Sequence, residues 1–123
     1  MSVLRILVIA PNADFRRSLV FALEAEGCVV TSFPDIPAGD MRGFDVVVLD
    51  HLAANGSPAS VIEFCRRASS LILLAGAPKQ WLLEQAFRVV QTPVIGDALI
   101  RAVREAVAVP QSGARPTTLG QKA

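Results

Sequence analysis

Short β-branched and aliphatic runs alternate along the chain with stretches whose apolar positions recur at helical spacing. Leu4 to Ile9 (LRILVI) has the near-continuous apolar character of a buried parallel strand. Phe15, Leu19, Ala22 and Leu23 follow at helical spacing, with Asn12 placed to cap that helix and Gly27 to end it. Cys28 to Phe33 (CVVTSF) predicts a second strand. Pro34, Pro37, Gly39 and Gly43 then leave room only for a short or broken helix. Val46 to Leu49 is the most apolar strand, bracketed by Asp45 and Asp50. Asn55 to Pro58 predicts a turn in which Ser57 caps a helix opened by Pro58. That helix carries Val61, Ile62, Phe64 and Cys65 and extends to about Ser69.

Leu71 to Leu74 predicts a fourth strand. Gly76 and Pro78 lead into a short helix with Trp81, Leu82 and Leu83. Arg88 to Gln91 predicts a brief fifth strand stopped by Pro93, and a last helix sets Ile95, Leu99, Ala102, Val103 and Ala106 along one face. This alternation implies an α/β domain over residues 1–109, doubly wound, with a five-stranded parallel sheet covered on both faces. Residues 110–123 are rich in Pro, Gly, Ser, Thr and Gln and are expected to be a flexible tail.

Composition narrows the function classes. Of 123 residues, 52% are hydrophobic and 19% charged, which suits a buried core and not a disordered chain. The net charge of +1 supplies no field that would recruit nucleic acid or a membrane surface. No apolar run approaches the roughly 20 residues of a membrane span. Met1 to Ala10 lacks the apolar stretch and cleavage site of a signal peptide, so a cytoplasmic location is expected. Cys28 and Cys65 have no metal-type spacing and are expected to be two buried thiols.

Sheets of this kind carry their sites at the carboxyl ends of the strands. Those ends hold Ala10 to Asn12, Asp50 to Leu52, Ala75 to Ala77, and Thr92 with Pro93. No glycine-rich phosphate cradle follows the first strand. His51 is the only histidine and has no neighbouring Ser or Cys to activate. Asp50 is the one acid at a strand end, too few for magnesium, so no metal or other cofactor is expected. Asp14 falls in the first turn of the first helix, and Asp45 lies at the far end of its strand. For Asp50 two readings stay open: a solvated residue opening a turn, or the remnant of a functional site.

The stretch FDVVVLD, Phe44 to Asp50, resembles the third strand of response-regulator receiver domains, which ends in the phosphoacceptor aspartate. Leu4 to Gly27 resembles the family's first strand and helix. Val89 to Val107 resembles its fifth strand, residue–proline step and final helix. The likeness spans about Val3 to Val109 and implies a flavodoxin-like, three-layer sandwich in which Asp50 is the candidate phosphoacceptor. The departures are systematic. Where the family has its magnesium-binding acidic pair, this sequence has Ala10 and Pro11. Where it has a Ser or Thr after the fourth strand stands Ala75, and where it has a Lys before the proline stands Thr92. Ala53 and Ala54 replace its Met-Pro pair.

An acyl phosphate carries nearly two negative charges, and its chemistry depends on metal and cation placement. The resemblance therefore implies a pseudo-receiver: a non-enzymatic signalling domain that works by protein–protein interaction without phosphorylation. The alternative is a phosphorelay receiver that takes a phosphoryl group on Asp50 with Mg2+. The partners implied are a histidine kinase, another response regulator, or a second copy in a homodimer. The expected surface, from the last two helices and the fifth strand, comprises Trp81, Leu82, Arg88, Arg101, Arg104 and Glu105. Alternatively, Trp81 and Leu82 fill the core and the arginines are merely solvated. The chain would also serve as the front piece of a transcription factor, but it offers no basic recognition helix for nucleic acid by itself.

Overall fold

A computed structural model describes residues 3–37, 43–54, 58–76, 79–92 and 97–108. The elements in chain order are β1 (Arg5–Ile9), α1 (Ala13–Ala25), β2 (Val29–Phe33), β3 (Val46–Asp50), α2 (Pro58–Arg67), β4 (Leu71–Leu74), α3 (Gln80–Leu83), β5 (Arg88–Val90) and α4 (Ala98–Ala108). The five strands pair in parallel in the order β2-β1-β3-β4-β5. β3 lies at the centre, buried along its whole length. The predicted doubly wound sheet is thus the observed one, with β1 between β2 and β3 and paired to β3 from Ile6↔Val46 to Ile9↔Leu49.

Period-two alternation divides the core between the two faces of the sheet. Ile6, Val8, Val46, Val48, Ile72 and Leu74 pack with Leu19 and Leu23 of α1 and with Leu99, Ala102, Val103 and Ala106 of α4. Leu7, Ile9, Val47, Leu49, Leu71 and Leu73 pack with Val61, Phe64 and Cys65 of α2 and with Leu82 of α3.

The first helix begins and ends as its sequence dictates. The Asn12 side chain accepts a 2.8 Å hydrogen bond from Phe15 N. At the other end Gly27 takes φ 90°. Its N–H donates to Glu24 O and that of Cys28 to Leu23 O, which satisfies two carbonyls the helix leaves open. Among the described residues no helix joins β2 to β3, where Pro34 and Pro37 interrupt helical hydrogen bonding; residues 38–42, Gly39 among them, lie outside the described residues.

Several expectations shift. Leu4, Cys28 and Gln91 lie just outside their strands, β3 runs on to include Asp50, and α2 stops at Arg67. Ala22 is exposed and Ile62 only half-buried, so neither helix face is as apolar as its spacing alone implies. Cys65 is buried but Cys28 only half-buried, and both are free thiols. Asn55, Gly56, Ser57, Ala77, Pro78, Pro93, Ile95 and the 110–123 tail lie outside the described residues. Among the described residues no helix is long and apolar enough to cross a membrane.

Two stability measurements test this packing. Val47, 1% exposed at the centre of the sheet, is expected to cost about 1–3 kcal/mol when truncated to Ala, through lost burial and a cavity. Denaturant unfolding reads it. Burial pushes the Cys65 thiol up from its ordinary value of 9.0 to about 11. The native state therefore keeps this proton at pH values where the unfolded chain releases it. Its stabilising contribution is complete below pH 9 and is lost as pH rises toward 11. A Cys65→Ala variant should lose that part of the alkaline decline, and thiol titration of the native protein should find Cys65 slower to react than Cys28.

Candidate functional site

The exits of β1, β3 and β4 lie side by side because their registers run level. Ile9 pairs with Leu49, and Asp50 with Leu74. Ala10, Asp50 and Ala75 consequently stand together at the carboxyl edge of the sheet, and all three are buried. Backbone bonds extend the sheet past its strands there: Ala10 N donates to Phe33 O, Ala75 N to Val90 O, and Thr92 N to Ala75 O. Thr92 lies against Gly76, where an added Cβ would sit 3.7 Å from its Oγ1. Pro11 is exposed on the rim.

Asp50 is not the solvated residue of the simpler reading. Its side chain is 4% exposed. Its Oδ1 accepts a 3.1 Å hydrogen bond from Leu52 N, capping a 3-10 turn over His51–Ala53. Aspartate favours this local turn because its carboxylate reaches the N–H two residues on. His51 Nδ1 lies 3.1 Å from Leu74 O and 3.4 Å from Asp50 Oδ1. A carbonyl can only accept, so this contact places a proton on Nδ1. The imidazole thus acts as a peg between the exits of β3 and β4 and leans its N–H toward the buried carboxylate.

Arg16 has no counterpart among the sequence-derived site residues. From the first turns of α1 its Nη1 donates to Ala10 O at 2.7 Å and reaches Pro11 O at 3.4 Å. Its only sequence signal is the spacing of six residues from Ala10, across a turn set by the Asn12 cap. An arginine there otherwise reads as a solvated helix residue.

The surface residues separate into three places. Leu82 is 3% exposed and part of the core, and Trp81 is half-buried against that core. Both belong to the α2–α3 layer and not to the β5–α4 surface, because the short α3 needs them to seal its side of the sheet. Arg88, Arg101 and Glu105 line a groove of about 540 Å³ with Val89, Gln91 and Thr92. Arg88 pairs with Glu105 at 2.8 Å and Arg101 with Asp97 at 3.3 Å. Arg104 faces away and pairs with Glu26 beyond the end of α1. Asp14 pairs with Arg17 on the outer face of α1, and Asp45 accepts from Arg5 N at the opposite end of the sheet.

No family model and no curated protein sequence matches the chain. Solved structures do. A CheY-like response-regulator receiver domain protein from Methanospirillum hungatei JF-1 superposes with TM-score 0.75 at 18% identity, over 87% of this chain and 95% of that one. The receiver domain of a sensor histidine kinase from Pseudomonas aeruginosa PAO1 gives 0.73 at 16%, over 88% and 100%. A CheY-like receiver domain from Methylobacillus flagellatus gives 0.71 at 15%, over 85% and 99%. The chain has the fold of response-regulator receiver domains.

The Pseudomonas structure holds a magnesium ion coordinated in its active-site cleft. The residues of the present chain do not fit that ion. Among the described residues no three of His, Cys, Asp and Glu gather as a metal site. Magnesium sheds its hydration water reluctantly, and Asp50, the one acid at the exits of β1, β3 and β4, offers it little in return. Magnesium is therefore expected to leave the urea midpoint unchanged. Asp50→Asn, whose amide oxygen can still accept from Leu52 N, should alter stability by no more than about 1 kcal/mol. Submillimolar magnesium affinity that disappears in Asp50→Asn would contradict both.

Proposed function

We propose that this receiver-fold chain is a pseudo-receiver, a signalling domain that works by binding another protein independently of phosphorylation. The observation that carries this reading is the state of Asp50. Its carboxylate is 4% exposed and is engaged by Leu52 N beside the His51 ring. Its neighbours at the strand exits are the apolar Ala10 and Ala75. Phosphoryl transfer needs an approach to the carboxylate and cations around the transferred group; burial hinders that approach, and among the described residues no Lys or Arg pairs with Asp50. Ala75 and Thr92 likewise offer no hydroxyl-and-lysine pair to read a modification.

Binding falls to the β5–α4 surface. Arg88, Arg101 and Glu105 line its groove together with the exposed apolar Val89. Their ion pairs are solvent-exposed and contribute little to stability, so a partner can re-pair these charges at small cost. A signalling protein such as a histidine kinase or another response regulator, or a second copy of this chain, suits a groove of mixed charge. The domain acts there without catalysis and without a metal, and a cytoplasmic location accords with such partners.

Incubation with a small phosphodonor and magnesium, followed by intact-mass measurement, tests the reading. No phosphoryl adduct is expected on the wild-type chain. A stoichiometric adduct, absent from Asp50→Asn, would replace this reading with the phosphorelay one. In a pull-down from cytosolic extract, Asp50→Asn should retain the partners of the wild type, and a paired Arg88→Glu, Arg101→Glu variant should lose them.

A further inference from the structure

The sheet has two edges, and they are finished differently. β5 is three residues long and carries the charged Arg88. β2 is five residues long, VVTSF, with neither a charge nor a proline in it. Edge strands usually carry such residues, because an unpaired edge invites another strand. Among the described residues nothing pairs with the outer side of β2. Val29 N donates to Leu4 O at 2.8 Å, and Phe33 O accepts from Ala10 N at 3.1 Å. Val29, Thr31 and Phe33 therefore turn their backbone groups toward β1, and Val30 and Ser32 turn theirs to the open edge. Side chains alternate as well. Val30 packs against the α1–α4 layer, so Val29, Thr31 and Phe33 face the other layer. On that side the connection from β2 to β3 has no helix among the described residues, and Val29 and Phe33 are 50% and 39% exposed.

We propose that the β2 edge is a dimerisation surface whose occupant is a second copy of this chain, joined strand to strand about a two-fold axis at Thr31. The edge is complementary to itself. In antiparallel pairing centred on Thr31, Val30 of each copy meets Ser32 of the other, and their outward groups form both bonds of a hydrogen-bonded pair. Thr31 meets Thr31. Val29 meets Phe33, a β-branched and aromatic pair of the kind that stabilises cross-strand contacts. No charge within the strand faces its own copy. Beyond the strand Asp35 falls opposite Gly27, next to Glu26, whose carboxylate Arg104 already holds. A foreign strand would gain the same backbone bonds, but this chain itself supplies the side chains that match. The surface lies at the opposite edge of the sheet from the groove proposed above for partners. A dimer through β2 thus leaves both grooves open, one on each copy. A contact of five residues per copy is small, so association depends on concentration.

Sedimentation of the full chain, from micromolar to millimolar concentration, compares wild type, Ser32→Pro and the Arg88→Glu, Arg101→Glu variant. Proline at position 32 removes an outward N–H and none that β1 uses; circular dichroism reports whether the variant is folded. A Thr31→Cys variant tests the register. Cα atoms in a non-hydrogen-bonded antiparallel pair lie about 4.5 Å apart, within reach of a disulfide. Mild oxidation is expected to join position 31 to position 31, and peptide mapping separates this link from any made by the free thiols of Cys28 and Cys65. The wild type is expected to dimerise as concentration rises, folded Ser32→Pro to stay monomeric, and the charge-reversed variant to dimerise like the wild type. If Ser32→Pro does not fold, the cross-link decides: its presence supports the proposal and its absence overturns it. A wild type that stays monomeric throughout overturns it, even if the edge then takes a strand of another protein. A dimer that persists in folded Ser32→Pro also overturns it, as does one that only the charge-reversed variant abolishes. Partner binding at the groove is read separately by the pull-down, so the two readings fail independently.

Discussion

Burial of both faces of β1, β3 and β4 is the constraint on which everything else depends. Each of these strands must satisfy its backbone through its parallel neighbours, and each must present apolar side chains above and below. Parallel pairing forbids tight hairpins, so every connection has to cross over the sheet, and helices are the economical way to cover it while crossing. Val46 to Leu49 take this furthest. They have essentially no exposed surface and feed both halves of the core. Polar groups are thereby pushed to the strand ends, where Asp50 closes β3.

At that edge the chain has the fold of receiver domains and a set of contacts of its own. Small apolar residues occupy the exits of β1 and β4, and the aspartate serves the backbone of its own turn. A histidine pegs two strands together and an arginine ties α1 to the end of β1. Such an edge is held by its own contacts, and the binding proposed above falls to the surface of β5 and α4.

That surface follows from the same geometry. The β5 strand is short and marginal, and Arg88 and Val89 remain exposed on it, while α4 buries only one stripe. The groove between them is bordered by ion pairs that can be exchanged. The opposite layer has no such freedom. There a four-residue α3 must cover its share of the sheet, and Leu82 with Trp81 is drawn into the core.

The sequence by itself determined the order of elements, the parallel sheet and the two-sided core, because periodicity and turn residues act over a few positions. The Asn12 cap and the Gly27 stop were equally legible, since their bonds join near neighbours. The place of Asp50 at a strand exit was legible too, but its burial was not. Whether a carboxylate at a strand mouth is solvated depends on what β1, β4 and the following turn bring against it, and those residues lie far away in the chain. The same holds for the others. Arg16 reads as a solvated helix residue until the Asn12 turn folds it back onto Ala10. Trp81 and Leu82 read as surface or core with equal right until the length of α3 decides. Local pattern fixes which elements form, and only their packing decides which polar atoms meet and which apolar ones vanish from water.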